Sequence, residues 1–422
     1  MNWQKLKKLW QTLGPGFITG ASDDDPSGIA TYSQTGSLFG YHQLWTALFS
    51  YPFMTVVQEM CGRIGLVTGK GLAAVIRRYY PKPVLYFAIG LLFLANTINI
   101  GADLGAMAAA GQLLLGVPYW LWLIAITAIT LTLEIFVSYR NYARVLKYLT
   151  LSLFAYIITV FIVKQNWAEI FYATLVPTII YNKAYLLNVV AILGTTISPY
   201  LFFWQASEEV EEEVIKHQLR DVDVGTPKIT EHDVTTMRMD TIVGMLFSNL
   251  VMFFIIATAA STLGRHGITS IDTAAQAAEA LRPLAGNLAF LLFAAGIIGT
   301  GLLAVPILAG SASYALSEAF HWHAGLNKKF RQAHGFYGVI ILATLIGLLI
   351  NFTGIQPFQM LYYTAIFNGI SAPPLLFLIL LIANNPKIMN GHTNSIFSNL
   401  MGGLITVLMA LAAAGLLLTA WK

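Results

Sequence analysis

Eleven stretches of about 20 predominantly apolar residues divide this chain, and that length matches the hydrocarbon thickness of a bilayer. By residue number they run 14–36, 43–64, 84–114, 118–138, 146–164, 185–206, 240–262, 287–316, 336–351, 357–383 and 396–420. Composition leaves little alternative: of 422 residues, 57% are hydrophobic and only 10% charged, far more apolar sequence than a soluble core can bury. The expected class is an all-α polytopic membrane protein with eleven transmembrane helices. An odd number of spans places the termini on opposite sides. With the N-terminus inside, the inner segments hold 19 of the 24 Lys and Arg residues, leaving Lys164, Lys183, Arg265, Arg282 and Lys422 outside. That asymmetry predicts a multi-pass cell-membrane protein with a cytoplasmic N-terminus and an external C-terminus.

Within the first span lies the costliest sequence to place in lipid, Ala21-Ser22-Asp23-Asp24-Asp25-Pro26-Ser27-Gly28. One ionisable group at membrane depth costs roughly 2.5 to 3.5 kcal/mol, so three together need water, a cation or a partner. Pro26 and Gly28 break the helix there, and irregular backbone survives at that depth only inside protein or beside an aqueous cavity. The reading is a cation pathway. The sixth span carries a second break, Gly194-Thr195-Thr196-Ile197-Ser198-Pro199-Tyr200, in which Pro199 removes a backbone hydrogen bond and frees nearby carbonyls. Interrupted helices at matching positions of two five-span units point to the binding site of an inverted-repeat transporter. Residues 14–164 then form the first repeat, 185–383 the second, and 396–420 an extra span.

Other polar residues are sorted by position. In the third span Asn96, Asn99 and Asp103 share one helix face, which reads as facing the bundle or a cavity. In the tenth, Asn368 and Ser371 precede Pro373 and Pro374 and bring an amide and a hydroxyl toward the same region. Glu59 and Arg63 are four apart and suit a structural ion pair. Glu134 is assigned to an interfacial network with Arg140 and Arg144. Ten of the twenty acids fall within 208–240, beginning with Glu208-Glu209-Val210-Glu211-Glu212-Glu213. That run reads as a solvated helix face with Glu212 paired to Lys216. Spans seven and nine read as scaffold, and Gly296, Gly299 and Gly301 in span eight as close packing. The segment 165–182 suits the outer interface. His321 and His323 lack further ligands and read as interfacial. The single cysteine, Cys61, excludes an intrachain disulfide and reads as a packed thiol.

These residues also resemble a known family. Gly14-Pro15-Gly16-Phe17, the acidic break, Phe39-Gly40-Tyr41, Leu44-Trp45 and Val67-Thr68-Gly69-Lys70 follow the opening of the Nramp divalent-metal transporters, and Leu193 to Pro199 follows their sixth span. The resemblance implies a LeuT-type fold with spans 1 to 5 and 6 to 10 as inverted repeats. It also exposes departures. The family's Asp-Pro-Gly-Asn is here Asp25-Pro26-Ser27-Gly28, which loses the asparagine ligand at Gly28. The family's Ala and metal-binding Met before Pro-His give way to Thr195, Ser198, Pro199 and Tyr200. The pair of acids associated with proton movement is reduced to Asp103, the other position falling near Asn99 or Ile100. This combination resembles the Nramp-related magnesium transporter branch.

Hard-ligand chemistry agrees, since carboxylate, hydroxyl, carbonyl and water suit Mg²⁺ and Mn²⁺ whereas a thioether favours softer metals. Asp25 is the expected principal charge, with Gly28, Thr195 and Ser198 framing the metal position. Asp23, Asp24, Asn99, Asp103, Tyr200, Asn368 and Ser371 are candidates for its cavity or approach. The expected function is uptake of Mg²⁺, with Mn²⁺ also accepted, by alternating access and without obligatory proton coupling. Three rivals share parts of the pattern: a proton-coupled Mn²⁺/Fe²⁺ symporter, a divalent cation channel, and an aspartyl intramembrane protease using Asp25 and Asp103. No enzymatic activity and no cofactor beyond the transported ion are expected. The expected partners are the ion and the lipid bilayer, not nucleic acid, and the expected working unit is a monomer.

Overall fold

The computed structural model describes residues 14–137 and 150–420. The basic residues Lys5, Lys7, Lys8, Arg140, Arg144, Lys147 and Lys422 lie outside them, so the network assigned to Glu134 does too. The described chain is helical almost throughout. The first span is two helices, α1 (Pro15–Asp23) and α2 (Pro26–Phe39), followed by α3 (Trp45–Thr68), the short α4 (Leu72–Tyr79), α5 (Lys82–Leu115), α6 (Tyr119–Phe136), α7 (Phe154–Ile162) and α8 (Trp167–Leu175). The sixth span is also two helices, α9 (Lys183–Thr196) and α10 (Pro199–Ile215). Then come α11 (Glu231–Thr262), the short α12 (Ala274–Ala278) and α13 (Arg282–Ala285), α14 (Ala289–Phe320), α15 (His334–Ile350), α16 (Pro357–Ala383), α17 (Pro386–Met389) and α18 (Ile396–Ala420).

Eight helical stretches among the described residues are long and apolar enough to cross a membrane. The first, second and fifth expected spans are not in that set. The first is broken by acids, the second carries Gln58, Glu59 and Arg63, and the fifth begins in undescribed sequence.

Packing places both broken spans at the centre. Pro26 and Pro199 each sit at the first turn of the outgoing helix, where the missing N–H costs nothing and φ is pre-set. Close helix contacts are bought with glycine: a Cβ on Gly20 would collide with the backbone of Gly244 in α11, and one on Gly194 with the backbone of Ala365 and Gly369 in α16. The exposed apolar residues lie along outer helices, as with Ile124 and Ile129 of α6 and Leu404, Val407 and Leu411 of α18. In α8 and beyond, Trp167, Phe171, Tyr172 and Tyr181 are exposed, as a segment at an aromatic interface requires.

Two expectations need correction. The acidic run Glu208 to Glu213 is not a solvated face, because it belongs to α10, which packs in the bundle interior; Glu209, Glu211 and Glu213 are buried. Glu211 accepts from the Tyr314 hydroxyl at 2.7 Å and the Leu326 N–H at 2.9 Å, which pins the segment after α14. Glu212 and Lys216 do approach, at 3.7 Å. Nor is the seventh span mere scaffold. Asp240 of α11 accepts from the N–H groups of Gly14 and Gly16 at 3.0 and 2.7 Å, which satisfies the start of α1. Ser248 of the same helix reaches the acidic break, described below.

Elsewhere local logic holds. Glu59 and Arg63 pair at 2.9 Å, and Arg238 joins Glu59 at 2.8 Å. Asp223, in the turn between α10 and α11, binds Lys70 and Arg77, while Lys328 meets Asp221 at 2.8 Å. The connection between α10 and α11 is thereby tied to α4 and to the segment following α14. Cys61 is free and buried.

Candidate ion site at the paired helix breaks

Asp25 is held in extended backbone just before α2, and the reason is capping. Its Oδ1 accepts from the Gly28 N–H at 2.7 Å and from the Ser27 hydroxyl at 2.6 Å, satisfying the first turn of α2. Its Oδ2 accepts from Asn99 Nδ2 of α5 at 3.2 Å, and Asn99 Oδ1 accepts from the Thr364 hydroxyl of α16 at 2.9 Å. One carboxylate thus links the first break to the third and tenth spans while Oδ2 keeps lone-pair capacity for a cation. Asp103, one turn beyond Asn99, is fully buried with both oxygens lacking a hydrogen-bond partner.

The second break supplies neutral oxygens. Thr195 Oγ1 lies 3.4 Å from Ser27 Oγ, which brings the two breaks together. Ser198 precedes α10 and donates its hydroxyl to the carbonyls of Gly194 at 2.6 Å and Thr195 at 2.8 Å, leaving its own lone pairs uncommitted. Tyr200 donates to the Ser22 carbonyl at 3.1 Å and so ties α10 to the end of α1. Gly28 has no side chain to offer, but its surroundings are filled. A Cβ there would lie 3.2 Å from the Asp23 carbonyl, 3.3 Å from the Tyr32 ring and 3.4 Å from Thr195 Oγ1.

Asp23 and Asp24 are fully buried and turn toward α11, where Ser248 Oγ donates to Asp23 Oδ2 at 2.6 Å and lies 3.5 Å from Asp24 Oδ1. They are therefore interior residues in this structure. In α16, Asn368 is buried with an unpartnered Nδ2, and the Ser371 hydroxyl is spent on the Asn368 carbonyl at 3.1 Å. Asn96 donates to the Leu308 carbonyl at 2.9 Å, a packing role. Met107, one turn past Asp103, packs its sulfur against Gly301 of α14.

The sequence pointed to Asp25, Thr195 and Asn99, which the fold brings together, but missed Ser27, Thr364, Tyr32 and Ser248. Ser248 and Thr364 carried a signal, being hydroxyls within otherwise apolar spans. Among the described residues no three His, Cys, Asp or Glu side chains converge on one point. The donor atoms gathered here belong to carboxylates, hydroxyls and carbonyls, a set whose chemistry suits hard cations.

Two broken helices crossing at a buried, oxygen-rich centre in an apolar bundle define a membrane protein of the LeuT type. Against solved structures, the manganese transporter of Eremococcus coleocola in complex with an aromatic bis-isothiourea substituted compound matches with a TM-score of 0.75 at 17% identity, covering 98% of this chain and 87% of that one. Mhp1, a nucleobase-cation-symport-1 family transporter, in a closed conformation matches with a TM-score of 0.56 at 15% identity, covering 96% and 90%.

The chain belongs to the Nramp family: the profile described as "Natural resistance-associated macrophage protein-like" matches residues 16–419. Among curated relatives, the divalent metal cation transporter MntH of Caldanaerobacter subterraneus is 25% identical over 416 residues, spanning 95% of this chain and 91% of the relative. MntH of Erwinia tasmaniensis is also 25% identical, over 97% and 94%.

Proposed function

We propose that this protein carries divalent cations across the cell membrane, Mg²⁺ foremost and Mn²⁺ as well, by alternating access through the site between the two breaks. The carrying observation is the centre itself: Asp25 joined through Asn99 to Thr364, and through Ser27 to the hydroxyl of Thr195 across the second break. The relatives named for divalent metal transport support the cargo class. The preference for Mg²⁺ follows from the donor chemistry. A thioether ligand would favour softer metals, whereas carboxylate, hydroxyl and retained water suit an ion that dehydrates reluctantly.

The N-terminus is cytoplasmic in this reading, and a negative-inside potential drives uptake by about 2.3 kcal/mol per charge per 100 mV. Eleven spans, two inverted repeats over 14–164 and 185–383 and a monomeric working unit complete the proposal. Transport proceeds without obligatory proton coupling because only Asp103 represents the acids of the third span. A second reading, proton-coupled Mn²⁺ transport, is favoured by one observation: Asp103 is buried with both oxygens unpartnered, a suitable proton holder.

The test is uptake of Mg²⁺ and Mn²⁺ into proteoliposomes. Asp25→Ala is expected to abolish uptake of both while Glu209→Ala, on the inner part of α10, retains it. The reverse pattern would move the site away from the breaks.

A further inference from the structure

The short helix α4 lies where three spans turn over: α3 ends at Thr68, α5 starts at Lys82 and α14 ends at Phe320. Leu72 to Ile76 of α4 are buried, and Glu318 near the end of α14 accepts from the Ala74 N–H at 3.0 Å, satisfying an orphan donor of the helix start. Arg77 and Arg78 occupy its last turn. Beside them is a cavity of about 490 Å³ lined by Lys70, Ala74, Arg77, Arg78, Asp223 and His321. Asp223 pairs with both Lys70 and Arg77, so one carboxylate faces two cations. Arg77 gives Nη2 to Asp223 at 2.7 Å, while its buried Nη1 has no hydrogen-bond partner. Arg78 is exposed, forms no ion pair among the described residues and lies 5.6 Å over the Tyr79 ring. With Glu318 counted as well as Asp223, cations still outnumber acids by three to two.

A separate observation sets the level of this cavity in the bilayer. His321 stands between Phe320 and Trp322, both exposed and stacked with ring centroids 5.3 Å apart. Phe320 in turn lies 6.4 Å from the exposed Tyr86 in the first turns of α5. Exposed aromatic rings at the ends of spans mark the headgroup level of a membrane. The cationic cavity therefore opens beside an aromatic strip at the boundary between water and lipid. On the topology above this is the inner side, where anionic lipids attract basic residues. Guanidinium and ammonium groups are the donors best matched to phosphate oxygens. A soluble phosphate would use the cations alone, whereas a lipid uses the cations and the rings.

We propose that this cavity takes the phosphate headgroup of an anionic phospholipid, bound by Lys70, Arg77 and Arg78. The acyl chains then run past Phe320, Trp322 and Tyr86 along α14 and α5. Lys70 follows the end of α3, and Asp223 belongs to the connection that leaves α10, the outgoing helix of the second break. A headgroup here ties the second span to the sixth through charges that already meet at Asp223. The inference concerns the lipid and is independent of which ion the protein carries.

The experiment is native mass spectrometry of the purified full chain in detergent micelles supplied with phosphatidylglycerol or, separately, phosphatidylcholine at equal mole fraction. Wild type is expected to retain phosphatidylglycerol more than about tenfold better, as several basic residues near one headgroup require. Arg78→Gln, which leaves the Asp223 pairs intact, is expected to cut that preference about fivefold, the worth of one basic residue at the membrane surface. Arg77→Gln/Arg78→Gln is expected to abolish it. Arg331→Gln, an exposed basic residue on the same side and outside the cavity, is expected to leave it unchanged. Equal retention of the two lipids by wild type, or equal losses in Arg78→Gln and Arg331→Gln, would overturn the proposal. Inorganic phosphate that displaces phosphatidylglycerol at equal concentration would assign the cavity to a soluble anion and overturn the lipid. Should the double variant fail to fold, Arg78→Gln decides, because its side chain is exposed: an unchanged preference there would overturn the site.

Discussion

The two helix breaks do different work. The first carries all its own charge and spends much of its polar capacity on itself, Asp25 capping α2 through Ser27 and Gly28. The second carries no charge at all. It offers Thr195 and Ser198, and the Ser198 proton is committed to the carbonyls of Gly194 and Thr195. Under the proposed function, the charge that sets affinity and the neutral oxygens that set selectivity lie on opposite halves. An anion that must also hold up a helix cannot be exchanged freely, whereas a neutral hydroxyl can be replaced by a softer or harder donor with the bundle intact.

The largest effect is therefore expected at Asp25. Asp25→Ala removes the charge and the cap together, so uptake should fall to the level of protein-free vesicles, and the lost cap alone should lower stability by about 0.5–2 kcal/mol in thermal unfolding. By contrast Ser198→Ala should reduce uptake only severalfold in the same assay. Equal losses from the two would break the division of labour drawn here.

Ser198→Met sharpens the comparison further. A thioether at the second break should raise preference for Mn²⁺ over Mg²⁺ by about tenfold in competition uptake, because sulfur favours the softer ion. Unchanged selectivity would place the discriminating ligand elsewhere.

Gly28→Asn follows in size. The added side chain meets the Asp23 carbonyl, the Tyr32 ring and Thr195 Oγ1 within 3.4 Å. Overpacking of this kind costs about 1–3 kcal/mol, so the variant should melt earlier and transport more slowly.

The smallest effect lies outside the membrane. Burial would raise the Asp223 carboxyl, but Lys70 and Arg77 outweigh it and hold it below its ordinary 3.8. A depressed folded value means that the pairing stabilises fully above the ordinary carboxylate range and is lost as pH falls below it. Asp223→Asn should therefore flatten the acid limb of the stability profile below about pH 4, with little change at neutral pH.

Much of the architecture was legible because its causes are local. Apolar runs of bilayer length, Pro26 and Pro199 at helix starts, and the four-residue spacing of Glu59 and Arg63 all act through the chain's own periodicity. Asp25, Thr195 and Asn99 were legible for the same reason, each being expensive or conspicuous in an apolar span. What escaped were partners set by packing between distant spans. Ser248 looks like any hydroxyl in the seventh span until α11 lies against α1. The acidic run 208–213 looks solvated until α10 is seen inside the bundle, where Tyr314 and Leu326 use its charge. Gly28 reads from the sequence as a missing ligand, and the sequence does not show that Tyr32, one turn along the same helix, covers it.

The central claim is that an oxygen-only centre between the two breaks carries Mg²⁺ without obligatory proton movement. Proteoliposomes holding the full chain, with Mg²⁺ and pH followed inside under a negative-inside potential, test it directly. The expected result is Mg²⁺ influx, competed by external Mn²⁺ and abolished in Asp25→Ala, with internal pH unchanged. Mg²⁺ that neither enters nor competes with Mn²⁺, or acidification in fixed proportion to the metal, would contradict it.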